Sequence, residues 1–369
     1  MIIKNIALAG HAGTGKTTLL EALLYQGGCV ERMGSVAAGT TVSDAAPEEI
    51  KRHSSVYTAT GSIMLDGQKI NLLDTPGMFD FAGGMVQGIS AADCVMITVS
   101  GKSGVRVGTK KAYRAAEGKP RMFVVTKLDD ENANFYNVLT ELKSAFGPSV
   151  CPVVVPVIAD RKVDSYINLI EMKAYRYDED GKAQEIPMPT SEVSEKLSYR
   201  VDGLIQAFSE AIAETDEELF EKFFSGEEFT QKERVDGIHK GMRDGTITPV
   251  ACVSAQMLEG VDLLCKEMEL LVPEASDEIA ALNQNGEEVV LHQSPEEPVC
   301  VQVYQTLADP YVGKLSMMRV ISGTLKAGAE LVNSKTEQTV LPLRQEADGN
   351  GCCGSRGSGG SDKAFRQYR

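Results

Sequence analysis

The sequence predicts an α/β fold, a doubly wound and mostly parallel sheet carrying an inserted α+β subdomain, with a segment of short strands after it. Three observations lead there. A glycine-rich loop joins a strand-length apolar run to a helical run within residues 6–24. Four apolar runs each end in a polar or glycine-bearing cluster, and ligands bind at the carboxyl ends of strands in parallel sheets. After Pro273-Glu274-Ala275 the pattern changes to a polar, acidic stretch and then to short strands with turns.

The chain has 369 residues, enough for two or three domains, and 43% hydrophobic and 24% charged residues, an ordinary globular composition. Its net charge of −15 excludes a broad basic face of the kind that coats nucleic acid. No sequence-specific nucleic-acid reader is expected. The eight cysteines form no CxxC pair and read as reduced core thiols. Met1-Ile2-Ile3-Lys4-Asn5 opens too short an apolar stretch for a signal peptide, and no window approaches eighteen apolar residues. A cytoplasmic chain without membrane contact, and not an oligomer, is the expectation.

Ile6-Ala7-Leu8-Ala9 has the length of a buried strand. Gly10-His11-Ala12-Gly13-Thr14-Gly15-Lys16-Thr17 follows and matches GxxxxGK[ST], and Thr18-Leu19-Leu20-Glu21-Ala22-Leu23-Leu24 continues as a helix. In that context the loop's backbone N–H groups cradle phosphate oxygens. Lys16 is expected to reach the β- and γ-phosphates and Thr17 to ligate Mg2+.

A second run, Lys69–Leu73, ends in Asp74-Thr75-Pro76-Gly77 and pairs with Tyr57–Leu65 through Asp66-Gly67. Alone, such a tetrapeptide is a turn signal as often as a site. After a phosphate loop, Asp74 is expected to hold Mg2+ through water and the Gly77 amide to sense the γ-phosphate. The run Cys94–Val99 supplies a further central strand.

A third run, Met122–Val125, ends in Thr126-Lys127-Leu128-Asp129. Here Asp129 would accept from the N1–H and N2–H2 of guanine while the stem of Lys127 covers the ring. A fourth, Pro249–Val253, ends in Ser254-Ala255-Gln256, where a backbone amide would meet the guanine O6. Each signal is weak by itself, and their order carries the reading: a P-loop GTPase domain binding GTP or GDP with Mg2+.

From residue 1 to about 338 the chain resembles elongation factor G and its translational GTPase relatives. His11 stands in the phosphate loop as in the GHxxxGKTT form of these factors. Asp74-Thr75-Pro76-Gly77-Met78-Phe79-Asp80-Phe81 is similar to their DTPGHVDF. About 120 residues separate Asp129 from Ser254, the place of an inserted subdomain in that family. The resemblance implies a GTP-binding domain over 1–277 with the insertion at about 161–247, a linker over 278–298 and a partial β-barrel over 299–340. It also implies the ribosome as partner, through its factor-binding site and stalk.

Within the insertion, Tyr166–Tyr175 is similar to a "DLIxMKAY" strand. Glu195 to Phe224 is helical in pattern, with Leu197, Val201, Leu204, Ile205, Phe208 and Ile212 on one stripe. Strands are expected at 299–306, 313–322 and 328–333. The tail, 341–369, is low-complexity and expected to be disordered, with an out-of-frame reading past Thr339 as its origin.

Several positions depart from the family. Met78 replaces the histidine that positions the attacking water, Thr126 replaces an asparagine, and Gly13 replaces an aspartate. Ser55 aligns with the Mg2+-sensing threonine of the switch segment 39–56. Catalysis is therefore expected of Lys16 and Gly77, with Met78 a degenerate position and His11 a lesser candidate. Three readings stay open: a ribosome-associated GTPase not expected to translocate alone, a hydrolysis-impaired module that docks on the ribosome, and a release-factor or ribosomal-protection relative.

Overall fold

The computed structural model describes residues 2–160, 162–189, 192–194, 199–274, 278–283, 285–309, 313–326, 329, 331–332, 339–340 and 367–368. It divides into two compact units, Met1–Pro273 and Glu274–Arg369.

The first unit alternates strands and helices: β1 (Ile3–Gly10), α1 (Lys16–Gln26), α2 (Pro47–Arg52), β2 (Ala59–Leu65), β3 (Gln68–Asp74), α3 (Ala82–Ala91), β4 (Cys94–Ser100), α4 (Val107–Ala115), β5 (Arg121–Thr126) and α5 (Phe135–Phe146). It continues through β6 (Val150–Pro152), β7 (Val154–Ala159), β8 (Lys162–Asn168), β9 (Lys173–Tyr177), β10 (Ala183–Ile186), β11 (Glu192–Ser194), β12 (Tyr199–Arg200), α6 (Val201–Ala213), α7 (Glu217–Phe224), α8 (Gln231–Asp244), β13 (Thr248–Cys252) and α9 (Val261–Leu271).

Seven strands form the main sheet in the order β2-β3-β1-β4-β5-β13-β6. Every neighbouring pair is parallel except β2 with β3. That antiparallel pair turns at Asp66 (φ 40°) and Gly67 (φ 79°), the double positive φ of a tight two-residue hairpin. The central strands are apolar throughout because helices cover both faces: Ile6 to Ala9, Val95 to Ile97 and Met122 to Val125 are fully buried. Cys94, Cys151 and Cys252 lie among them, and burial raises the Cys94 and Cys151 thiols to about 12, which leaves them inert.

The inserted part is a second, antiparallel sheet ordered β10-β9-β8-β7 with α6, α7 and α8. It begins at Val154, ahead of the expected start near 161, because one apolar run serves both sheets. Residues Val150–Pro152 pair with β13, and Val154 onward pairs with β8. Val153 joins them: its N–H donates to the Val250 carbonyl and its carbonyl accepts from the Leu169 N–H. The segment 166–175, read as one strand, is two strands around a turn. Asn168 bends it there, its Oδ1 accepting from the N–H groups of Ile170 and Glu171. The helical stripe is split at Thr215, with Asp216 capping the second helix through the Glu218 N–H. Val201, Leu204, Phe208 and Ile212 are buried, Ile205 is half-buried, and Leu197 lies outside the described residues.

In the second unit the expected linker holds a hairpin, β14 (Glu278–Leu282) with β15 (Glu288–His292). Exposure alternates there, with Ile279, Ala281, Val289 and Leu291 on the more covered face, and Asn283 closes the turn by accepting from the N–H groups of Asn285 and Glu287. Two long strands follow, β16 (Cys300–Asp309) and β17 (Gly313–Ser322), paired antiparallel. Of the expected strand at 328–333, Leu331–Val332 is a short strand. Of the tail, 341–366 and 369 lie outside the described residues, and Gln367–Tyr368 pairs with β17. Among the described residues no helix is long and apolar enough to cross a membrane.

Candidate nucleotide-binding site

All four motifs meet at the C-terminal edge of the main sheet, at the ends of β1, β3, β5 and β13. The phosphate loop leaves β1 at Gly10, whose φ of 144° only glycine adopts freely, and a Cβ there would come within 2.6 Å of the Thr98 carbonyl. Gly13 (φ 75°) and Gly15 (φ 85°) complete the turn, and α1 begins at Lys16. Thr14 fastens the loop to β4 through a 2.7 Å hydroxyl pair with Thr98.

Lys16 is only 6% exposed, and its amine donates to the carbonyls of Gly10 and His11. Burial lowers its pKa, opposed by the charges of Asp74 and Asp44. The Gly77 backbone lies directly over this amine: a Cβ there would fall 2.4 Å from Lys16 Nζ and 2.9 Å from Ala12. Thr75 holds the motif in place by donating to the Leu8 carbonyl, and Pro76 is buried beneath Gly84. Met78 is half-buried and extended (φ −77°, ψ 144°) just before the short turn Phe79–Phe81.

The acidic end is dense. Asp74 is fully buried, accepts a 2.7 Å hydrogen bond from Thr17 at Oδ2 and has no partner at Oδ1. Thr17 also lies 3.1 Å from the Ser55 hydroxyl. Asp44, 4% exposed, stands nearby with no full hydrogen bond to either oxygen, although the Ser55 hydroxyl is close enough to favour its charged form. Burial pushes Asp74 to about 7, against the opposing pull of Lys16 and Thr17, and pushes Asp44 to about 6. Two further buried carboxylates, Glu21 and Glu49, grip the backbone of the segment that carries Asp44 and Ser55.

At the other end, Ser254 donates a 2.8 Å hydrogen bond to Asp129 Oδ1, joining two motifs 125 residues apart. Thr126 donates 2.6 Å to the Thr14 carbonyl and also faces the Val99 carbonyl, which ties this end to the phosphate loop. Lys127 has φ 59°, and its stem passes 3.7 Å from where a Cβ on Gly15 would stand. Ser254 and Ala255 are buried and Gln256 is exposed. The bridge between Ser254 and Glu259 rigidifies this loop, and Tyr166 of β8 donates to Glu259.

His11 is held by α4 and by the turn after Met78. Its ring packs 5.6 Å from Phe79, over which the Lys111 amine lies at 4.3 Å, and Gly108 is the only residue small enough for its backbone. Burial, then the charges of Lys16 and Arg106, lower its pKa and so favour the neutral ring.

Thus every residue expected from the sequence comes to one edge, and Asp44, Glu21, Glu49 and Thr98 join it unannounced. Asp44 carries no spacing to another motif. Glu21 sits on a helix where an acid reads as solvent-facing, and only a buried helix face could have marked it.

The sequence of residues 1–274 matches the elongation factor Tu GTP-binding domain. The chain is 33% identical over 341 residues to an elongation factor G-like protein of Thermotoga maritima, covering 91% of this chain and 48% of that one. It is likewise 33% identical over 336 residues to an elongation factor G-like protein of Mycobacterium tuberculosis, covering 88% of this chain and 45% of the relative. A solved structure of a protein from Thermus thermophilus superposes with a TM-score of 0.78 at 35% identity, over 92% of this chain and 48% of that one. The chain spans about half the length of the curated relatives it matches.

Proposed function

Since the chain belongs to the family of the elongation factor Tu GTP-binding domain, we propose that it binds GTP and GDP with Mg2+ and acts on the ribosome as a translational GTPase of the elongation factor G type. The observation that carries the reading is the Ser254–Asp129 hydrogen bond, which joins the Asp129 carboxylate to the Ser254 loop at the end of the sheet, where the Lys127 stem passes close to Gly15. Asp129 accepts from the two guanine donors, and Lys127 covers the ring. A site built to pair those donors rejects a base lacking them by roughly 10⁴ or more.

Residues Gly10 to Thr18 receive the phosphates, with the Lys16 amine leaving the carbonyls of Gly10 and His11 for phosphate oxygens. The Gly77 backbone is already packed over that amine, and its N–H is the sensor of the terminal phosphate. The hydroxyls of Thr17 and Ser55 and the carboxylates of Asp74 and Asp44 are hard oxygen donors. With one orphaned oxygen on Asp74 and an under-bonded Asp44, they fit Mg2+. When bound, Mg2+ neutralises the charge that develops on the phosphate oxygens. Among the described residues no three His, Cys, Asp or Glu cluster as a metal site of their own.

Docking on the ribosome is supported by an exposed patch beside the site. Phe79 and Val107 are about half exposed, and Arg106, Lys110 and Lys111 are exposed around them, a local basic face on an acidic chain.

A second reading, slow hydrolysis, is favoured by Met78. A thioether accepts hydrogen bonds weakly and donates none, so it cannot orient water as a histidine does. Ribosome-stimulated phosphate release separates the two. Release well above the chain alone identifies a GTPase. Release that appears only in Met78→His, by roughly 10²–10⁴-fold, identifies a docking module with a disabled centre. No nucleotide binding at all overturns both.

A further inference from the structure

We propose that Glu21 and Glu49 are positioning residues: they clasp the segment from Gly34 to Tyr57 so that Asp44 and Ser55 stand over Thr17 and Asp74. The inference deepens the reading above and rests on it. Glu21, on α1, is fully buried. Its Oε2 accepts from the Gly34 N–H at 2.9 Å and its Oε1 from the Val42 N–H at 2.6 Å. Glu49, on α2, is 3% exposed. Its Oε2 accepts from Ala46 N–H at 3.1 Å, and its Oε1 from the N–H groups of Val56 and Tyr57, both at 3.0 Å.

No ion pair satisfies either carboxylate among the described residues, so the segment's own amides are their chief partners. The five gripped amides bracket Asp44 on both sides and end immediately after Ser55. The segment contains no strand and one six-residue helix, and its backbone–backbone hydrogen bonds are local turns such as Thr40 N–H to Ser35 and Gly39 N–H to Val36, so the two carboxylates supply the long-reaching ties of its amides. Gly34 is matched to the grip, since a Cβ there would come within 2.7 Å of Glu21 Oε2. A buried carboxylate that loses such donors is costly, and amides that lose their acceptor are left unsatisfied, so the two sides hold each other. The consequence is an acidic wall: the clasp keeps the oxygens that would hold a divalent cation together.

The test uses the full chain with Glu21→Gln and, separately, Glu49→Gln. An amide retains one acceptor oxygen but places an NH2 against a backbone N–H, which opens one limb of each clasp. The expected result is a rise of about tenfold in the Mg2+ concentration that half-retains a fluorescent GTP analogue, the effect of one hydrogen bond to a charged acceptor. Affinity for the same analogue in excess chelator stays within about twofold, because the phosphate loop and the base end are untouched. In the nucleotide-free chain, trypsin cuts faster at the exposed Lys51 and Arg52. An unchanged Mg2+ midpoint, or a loss of Mg2+-free affinity in parallel with it, overturns the inference. If the wild-type chain binds no GTP, the functional reading fails instead, and the trypsin comparison still decides whether the clasp exists: equal cutting rates remove it.

Discussion

The phosphate end and the base end of the site are built in opposite ways. The phosphate loop is one continuous run whose shape follows from three positive-φ or crowded glycines and a helix start, with short-range hydrogen bonds from Thr14 and Lys16 to carbonyls three to six residues away and the Thr14–Thr98 hydroxyl pair fastening it to β4. The base end is assembled from residues 125 positions apart and depends on Thr126, Ser254 and the loop before α9 arriving together. A locally specified structure tolerates distant change, whereas a long-range one inherits every disturbance between its parts. The acidic wall at Asp44 lies between these extremes: its own residues are close in sequence, but buried carboxylates on two helices hold it.

The largest effect is expected of Lys16→Ala. It removes the one buried cation of the phosphate end and is expected to cost about 3–5 kcal/mol of triphosphate affinity with no change in base preference, measured by competition among nucleotides. Loss of guanine preference in this variant would mean that the two ends are not separable. Next comes Asp129→Asn, expected to weaken GTP by about 2–4 kcal/mol while accommodating xanthosine triphosphate. An unchanged ratio between the two nucleotides would remove base recognition from this motif.

Smaller, and acting through packing, is Glu267→Gln in α9, the helix that follows the base loop. Glu267 is fully buried, receives one hydrogen bond from Asn168 and is pushed by burial to about 8. Between about pH 4.5 and 8 the folded chain therefore keeps a proton that the unfolded chain has released. Stability falls as pH rises through that window, with the loss complete above about 8. The uncharged glutamine removes this slope, so its melting temperature should exceed the wild type's at pH 8, by about 1–3 kcal/mol in stability, and match it near pH 4.5. Parallel pH profiles for the two proteins would show that Glu267 is not the group responsible. The least effect is expected of Thr126→Ala, about 1 kcal/mol in nucleotide affinity from one lost hydroxyl bond to the Thr14 carbonyl. No loss would show that the two ends are joined by the sheet alone.

Legibility in the sequence follows the same division. The phosphate loop, Asp74 to Gly77 and the order of the four strand ends are visible because glycine, proline and acid spacing are demanded by the backbone. The sheet itself is visible through its apolar runs. Hidden were features whose signal is tertiary: Glu21 looks like any surface acid on a helix until α1 is buried on that side. Asn168 looks like a strand residue until it closes a turn. The hairpin at residues 278–292 reads as a linker because its centre, Asn283 to Glu288, is polar, and its apolar face of Ile279, Ala281, Val289 and Leu291 forms only when the two strands pair. Met78 was legible as a departure, because the chemistry of a thioether needs no coordinates.

The junction at Val153 has a mechanical meaning. One residue carries the chain out of the main sheet and into the antiparallel one, its N–H bonded to the first assembly and its carbonyl to the second, with the side chain fully buried. There is no slack in such a joint. A load applied to the antiparallel sheet, in a pulling experiment for instance, passes through this rivet into β6 and β13, alongside the side-chain ties from Tyr166 to Glu259 and from Asn168 to Glu267, and from β13 onward to the turn at Ser254. Excising the insertion at 161–247 would leave β7 unpaired with β8 and keep half of the rivet, whereas a cut that spares Val153 and begins at Val154 removes the whole lever.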